Sequence, residues 1–283
     1  MNKQLEVSNL SFRYSDTKQK AIADINFTVD EGEFFCIIGQ NESGKSTLCS
    51  ALVGLVPFYF TGKMKGDVVV LGENTRKSSV ATLASKIGFV FQNPFNQLSY
   101  TTVSVAEELA YGLGNLGIER EEMHRRVERI AGLMRVDHLL NKSPLELSGG
   151  QVQRVAIGSA FIMQPKILVL DECTTQLDPL GSEEVFDVVK ALNGEGITVI
   201  MADHDMERVA RCADHILVLD GGKQVAVGTP AEIFSDPSIR QHSIEPPDFV
   251  TIGRRLREEG LYSGDITLTE EAAITAAKGA LVR

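Results

Sequence analysis

The chain has 283 residues, of which 43% are hydrophobic, enough to bury a sizeable core in one large soluble domain with an appendage. Its formal net charge of −10 argues against a surface built to hold nucleic acid and makes basic patches the natural complement on a partner. The four cysteines, Cys36, Cys49, Cys173 and Cys212, stand singly, which suits reduced thiols and speaks against a disulfide or zinc framework; no stretch reaches the ~20 apolar residues of a membrane span.

Short apolar strands alternate with longer helical segments along the chain, the pattern of an α/β fold with a mainly parallel sheet. The opening LEVSNLSFRY and the later GDVVVLG alternate apolar with polar residues and predict a smaller antiparallel sheet beside it. Parallel strands are predicted at Phe34–Ile38, Gly88–Phe91, Ile167–Leu170, Thr198–Met201 and His215–Leu219. Between about Pro94 and Met163 the strand signal fades. There VAEELAYGL, EEMHRRVERIAGLM and the run after Gly150 carry helical spacing and predict an inserted helical subdomain, residues 94–163. Residues 1–228 then form one domain and residues 229–283 a C-terminal accessory region. In the latter, prolines punctuate short helices, Phe249, Ile252 and Leu256 recur at i, i+3 and i+7, and Thr267-x-x-Glu270 predicts the cap of a last, alanine-rich helix.

Three motifs carry chemistry. GQNESGKST, running Gly39, Gln40, Asn41, Glu42, Ser43, Gly44, Lys45, Ser46, Thr47, follows an apolar strand and precedes a helix, the setting of a loop that wraps nucleotide phosphates. Backbone N–H groups would bind phosphate oxygens, Lys45 would reach the β and γ phosphates, and Ser46 would ligand Mg²⁺. A chance match to this spacing in a chain of this length arises on the order of one time in a hundred. Glu42 is compatible with the loop if its backbone avoids positive φ and its side chain points to solvent. The second motif is KILVLDE, an apolar strand ending in Asp171 and Glu172; successive strand residues point opposite ways, so Asp171 can serve Mg²⁺ while Glu172 polarises a water. The third is LSGGQ, namely Leu147, Ser148, Gly149, Gly150 and Gln151, at the start of a helix, a second place to hold an anion.

In this order the three motifs resemble those of the ATP-binding cassette (ABC) ATPases, over roughly Leu5 to Gly228. The resemblance implies a P-loop ATP-binding cassette fold, ATP and Mg²⁺ as cofactors, and a dimer in which the signature of one subunit closes over the γ phosphate held by the other. It further implies that Tyr14 stacks on adenine, that Gln92 touches Mg²⁺ and the attacking water, that Asp178 lines the dimer interface, and that His204 contacts the γ phosphate beside the base Glu172. The chain departs from the family pattern at Glu42, at Cys173 and at Gln176.

QNPFNQL, Gln92 to Leu98, and the tail PPDFVTIGRRLREEGL are similar to the ATPases of energy-coupling factor importers, which bring in vitamins, cobalt or nickel. That resemblance implies a peripheral protein on the cytoplasmic face of the cell membrane, working with an integral coupling subunit and a substrate-binding membrane subunit. Homodimer and heterodimer with a paralogous ATPase stay open, as does the solute. Phe95, Gln97, Leu98 and Tyr100 are candidates to seat a short helix of the membrane partner, with Glu107 and Glu108 meeting its basic side chains; no basic residue lies between Asn93 and Glu119. The alternatives are a subunit of another ABC importer, or a soluble nucleotide-gated switch that hydrolyses slowly.

Overall fold

The computed structural model describes residues 2–281. In chain order the elements are β1 (Lys3–Tyr14), β2 (Ile22–Asp30), β3 (Phe34–Gly39), α1 (Lys45–Leu52), β4 (Gly62–Val70), β5 (Glu73–Asn74), α2 (Val80–Ala84) and β6 (Ile87–Val90). There follow α3 (Val105–Asn115), α4 (Arg120–Met134), α5 (Gly149–Phe161), β7 (Ile167–Asp171), α6 (Pro179–Gly194), β8 (Thr198–Ala202) and α7 (Met206–Cys212). The chain finishes with β9 (His215–Asp220), β10 (Lys223–Gly228), α8 (Pro230–Ser235), α9 (Asp248–Glu258) and α10 (Glu270–Leu281).

The strands form a sheet in the order β5-β4-β1-β2-β10-β9-β3-β8-β7-β6. From β9 to β6 neighbouring strands run parallel, and β1, β2, β4 and β5 pair antiparallel. A single parallel pairing of Lys223 with Ala23 joins the two parts. The central strands are apolar on both faces because helices cover both. In β3, Phe34, Cys36 and Ile38 enter the core shared with α3 to α6, while Phe35 and Ile37 enter the core under α1. The same alternation in β7 sends Leu168 and Leu170 one way and Val169 the other. It leaves the C-terminal ends of β3, β7 and β8 side by side, where α/β sheets present ligand sites.

Three strands escape the prediction, the two-residue β5 among them. β2 alternates buried Ile22, Ile25, Phe27 and Val29 with wetter residues, a signal present in IADINFTVD. β10 has no fully buried position and therefore no hydrophobic signature. The opening strand also bulges at Asn9, whose φ is +50°, and its partner Gly66 leaves no room for a side chain, since a Cβ there would sit 2.3 Å from the Asn9 carbonyl. At the C-terminus the cap of α10 is Thr269, whose hydroxyl accepts from the Ala272 N–H at 3.2 Å. Thr267 is instead buried, donating to the Phe249 carbonyl at 2.5 Å and tying the approach to α10 onto α9. Of the apolar stripe predicted on α9, Phe249 is buried with Val250 and Gly253, whereas Ile252 faces solvent.

Candidate functional site: a phosphate loop against paired carboxylates

β3 delivers the chain to Gly39 and α1 begins at Lys45, so the loop between them lies at the C-terminal edge of the sheet. Both motif glycines are sterically required. A Cβ on Gly39 would meet the Leu219 carbonyl at 2.3 Å, and Gly44, at φ +102°, would carry its Cβ to within 2.8 Å of the Ala21 carbonyl. Glu42 corrects the sequence reading. Its side chain is exposed as required, but its φ is +65°, because residues 40–43 close a tight turn in which the Ser43 N–H donates to the Gln40 carbonyl at 3.2 Å. A non-glycine residue at that position costs about 1 kcal/mol.

Lys45 is 5% exposed and its ammonium has three oxygen partners: the carbonyls of Gly39 and Gln40, each at 2.9 Å, and Glu172 Oε1 at 3.1 Å. The other carboxylate oxygen of Glu172 accepts from Gln92 Nε2 at 2.8 Å. Glu172 is itself held in left-handed backbone, φ +45°, with its N–H donated to the Ala202 carbonyl of β8 at 3.0 Å. Ser46 Oγ donates to Asp171 Oδ1 at 3.1 Å. Burial raises the Asp171 carboxyl to about 6; Glu172 nearby adds to the rise, while the Ser46 bond and Lys45 oppose it. The loop, Lys45, Ser46, Thr47, Gln92 and Glu172 line a cavity of about 280 Å³.

A larger cavity, about 1080 Å³, continues from Gly39, Gln40, Gln92 and Glu172 to His204. The His204 ring is exposed; the backbone N–H of His204 donates to Asp203 Oδ1 at 2.7 Å, and Arg208 holds the other oxygen of Asp203 at 2.8 Å. The opposite wall is the C-terminal segment Ser243–Asp248, which runs into the tail PPDFVTIGRRLREEGL and which sequence reasoning did not connect with this site. Tyr14 lies half-buried at the edge of the loop, its hydroxyl 3.0 Å from Thr47 Oγ1 and its ring edge-on to Phe12 at 4.9 Å.

The signature lies apart from these residues. Ser148 caps α5, accepting from the Gln151 N–H at 3.4 Å while Gln151 Oε1 accepts from the Ser148 N–H at 3.0 Å. Leu147 to Gln151 line neither cavity; a Cβ on Gly150 would lie 3.6 Å from Leu177, so the start of α5 rests on the loop after β7. At the end of that loop Asp178 caps α6, accepting from the Gly181 N–H at 2.7 Å. One chain therefore presents a phosphate loop and a second helix N-terminus that do not meet.

A sequence model of the family described as ABC transporter matches residues 22–175. The chain belongs to the ABC transporter family. It is similar to the energy-coupling factor transporter ATP-binding protein EcfA1 of Bacillus subtilis, 40% identical over 276 residues that cover 96% of this chain and 95% of that protein. Among solved structures it resembles cbiO1 from Clostridium perfringens, described as part of the ABC transporter complex cbiONQ, with a TM-score of 0.72, 31% identity, and coverage of 92% of this chain and 98% of that one. It also resembles a dimeric post-hydrolysis ATP-binding cassette bound to ADP and Pi, with a TM-score of 0.71 and 27% identity over 80% of this chain and 98% of that one.

Two departures of this ABC transporter chain from the pattern now have a setting. Cys173 is buried in the core, which pushes its thiol up to about 12, and Gln176 is exposed beside Gly149. The expected partner groove needs larger correction. Leu98 is a core residue, 6% exposed, and cannot seat a partner. Glu108 is also buried, accepting from the Ser99 N–H at 2.6 Å, the Ser99 hydroxyl at 2.9 Å and the Thr102 hydroxyl at 2.6 Å, so its charge pins a loop and is not offered outward. Glu107 is exposed, accepting from the Val103 N–H at 3.1 Å, and Phe95 is half exposed. Beside this segment lies an apolar cavity of about 300 Å³ walled by Leu55, Phe89, Phe91, Tyr111 and Met163, with Gln97 and Glu108 at its polar side. Tyr100, at φ +53°, has a buried hydroxyl with no partner. Among the described residues no helix is long and apolar enough to cross a membrane.

Proposed function

We propose that this chain is the ATP-hydrolysing subunit of an energy-coupling factor importer, energising uptake of a micronutrient, a vitamin or a transition metal, through separate membrane subunits. The single observation that carries the catalytic part is the convergence of buried Lys45 and Glu172 with exposed Gln92 in one hydrogen-bonded set that lines the cavity at the phosphate loop. The transport part rests on the likeness to the Bacillus subtilis protein and to cbiO1, both over nearly the whole chain.

The triphosphate enters along the loop, and its β and γ oxygens take Lys45 from Glu172. Freed from the ammonium, Glu172 accepts a proton from the attacking water, and Gln92 orients that water through the face it already shares with Glu172. His204 and Lys45 neutralise charge on the transferring phosphoryl group. The hydroxyl of Ser46, the carboxylate of Asp171 and the carboxamide of Gln92 are hard oxygen donors of the kind that suits Mg²⁺, and Ser46 Oγ and Asp171 Oδ1 lie 3.1 Å apart. Bound there, Mg²⁺ would supply positive charge to the β and γ phosphates. The N-terminus of α5, with Ser148 and its glycines, completes the site of a second cassette, a homodimer partner or a paralogue, across an interface lined by Asp178. Residues 229–283 act as an accessory region supporting that pairing.

The apolar recess at Tyr111 is the docking place for a short helix of an integral coupling subunit at the cytoplasmic face of the membrane, with Glu107 as the charge facing its basic side chains. Isolation of the chain from its native membrane tests the assembly: integral subunits should copurify, and Tyr111→Arg should remove them while ATP binding by the isolated chain persists. Absence of any integral subunit from the wild-type preparation would refute the transport reading.

A further inference from the structure

Between α1 and β4 the chain turns through a tip formed by Pro57, Phe58, Tyr59 and Phe60. The Tyr59 and Phe60 N–H groups donate to the Leu55 carbonyl at 2.8 and 3.1 Å, and Phe60 packs on the core beneath α1. Tyr59 stands edge-on against Phe60, with ring centroids 5.0 Å apart. The tip is therefore anchored, yet Phe58 is 58% and Tyr59 72% exposed. An apolar ring with a polar end, as in Tyr59, suits a boundary between water and an apolar phase.

Cations surround this tip. The Ser15 N–H donates to the Thr61 carbonyl at 3.1 Å, which ties the tip to the hairpin between β1 and β2. Residues 13–20 of that hairpin carry Arg13, Lys18 and Lys20 against Asp16 alone, and residues 58–66 carry Lys63 and Lys65 and no acid. In a chain of net charge −10 this is a local reversal of sign. Along the ladder of β1 with β4, Arg13 stands opposite Lys63 and Ser11 opposite Lys65, on the face turned away from Phe12, Met64 and the core. Lys20 Nζ reaches Ser11 Oγ at 3.4 Å and joins the same face. Among the described residues none of these five cations has an ion-pair partner, whereas the nearby Asp67 is occupied by Arg76 at 2.7 Å. We propose that the tip is a lipid contact: Phe58 and Tyr59 enter the headgroup layer of a membrane containing anionic lipid, and the cations of the hairpin and β4 meet its phosphates. Aromatic rings settle at the headgroup level, and each lysine or arginine near an anionic surface strengthens binding about fivefold. Long, unpaired side chains suit a fluid array of phosphates, which has no fixed positions to match. Leu55, whose carbonyl holds the tip, is also a wall of the apolar recess, so the tip flanks the place assigned to an integral subunit.

The choice of a lipid surface over an acidic protein rests on that docking, and the two are tested separately. Copurification of Tyr111→Arg with the integral subunits judges the docking; the lipid contact is read on the isolated chain with no membrane subunit present, so either can fail alone. The wild type should cosediment with vesicles of phosphatidylglycerol in phosphatidylcholine and not with phosphatidylcholine alone. Raising the salt from about 0.1 to about 1 M should release it, because the screening length falls from about 10 to about 3 Å. Lys63→Gln with Lys65→Gln should weaken the partition about 25-fold, and Phe58→Ser with Tyr59→Ser about tenfold. Lys166→Gln with Lys190→Gln, an equal change of net charge elsewhere on the surface, should leave it unchanged. All six side chains are exposed, so the variants should fold as the wild type does. No binding of the wild type to the anionic vesicles, an aromatic pair without effect, or a Lys166 and Lys190 pair as damaging as Lys63 and Lys65 each overturns the lipid contact. Loss of the integral subunits from detergent-purified Phe58→Ser with Tyr59→Ser, without vesicle binding by the wild type, assigns the tip to a protein partner and likewise overturns it.

Discussion

Glu172→Gln separates the two tasks the structure gives this carboxylate. Glu172 is 9% exposed and compensates the ammonium of Lys45 at 3.1 Å. Removing one member of a buried pair usually costs about 3–5 kcal/mol, because the other charge is left without compensation. Here the loss is smaller, since Lys45 keeps the Gly39 and Gln40 carbonyls and the new amide oxygen can still accept. About 2 kcal/mol is expected, which for a chain of this size lowers the unfolding midpoint by about 4 °C. ATP reverses the balance. In the wild type the triphosphate must break the Lys45–Glu172 pair before it gains the lysine, whereas in the variant the phosphates restore a missing charge. The variant should therefore bind ATP tighter by up to the same 2 kcal/mol, roughly 30-fold. It should release no phosphate and should accumulate as an ATP-bound dimer. Thermal unfolding with and without ATP, phosphate release and light scattering read these outcomes. Retained turnover would show that Glu172 is not the base. A nucleotide-induced stabilisation no larger than in the wild type would show that Glu172 and the phosphates do not compete for Lys45.

Glu42→Gly should stabilise the chain by about 1 kcal/mol by relieving left-handed backbone at φ +65°, with less than a tenfold change in ATP affinity; a much larger gain in affinity would mean that the carboxylate faces the triphosphate. Because burial raises the Asp171 carboxyl from its ordinary 3.8 to about 6, the stability tied to its protonated form is full below pH about 4 and lost as pH rises through about 6. In metal-free buffer the wild type should therefore lose up to about 3 kcal/mol relative to Asp171→Asn between pH 4 and 7, then run parallel to it; parallel curves throughout would refute the assignment. Glu107→Lys should weaken copurification of the membrane subunits and lower the melting temperature only slightly, since it gives up one exposed hydrogen bond from the Val103 N–H. Glu108→Lys should lower the melting temperature of the isolated chain, because it removes three accepted hydrogen bonds and buries an ammonium; the opposite pairing of effects would reverse the roles given to these neighbours.

Local chemistry made much of the site legible. The strand, loop and helix around Gly39–Thr47, the carboxylates ending β7 and the serine capping α5 each depend on neighbours a few residues away, so spacing and residue type were enough to read them. The α/β pattern was legible for the same reason: the strands covered on both faces are apolar throughout. Burial decided by distant parts of the chain was not legible. Glu107 and Glu108 look alike in sequence, yet one helical step of about 100° turns Glu108 into the core against Ser99 and leaves Glu107 in water. Leu98 and Phe95 divide in the same way. Thr267 lost its expected capping role because Phe249, on another helix, offered a buried carbonyl. The sharpest case is Ser243–Asp248, which has no residue pattern pointing to nucleotide and becomes a wall of the larger cavity because packing of Ile244 and Phe249 into the core returns the chain to the mouth of the phosphate loop. The residue types determined what the site can do chemically. Tertiary packing decided which carboxylate pairs with Lys45 and which side chains remain free for a partner, because burial and pairing depend on elements that the chain brings together only when it folds.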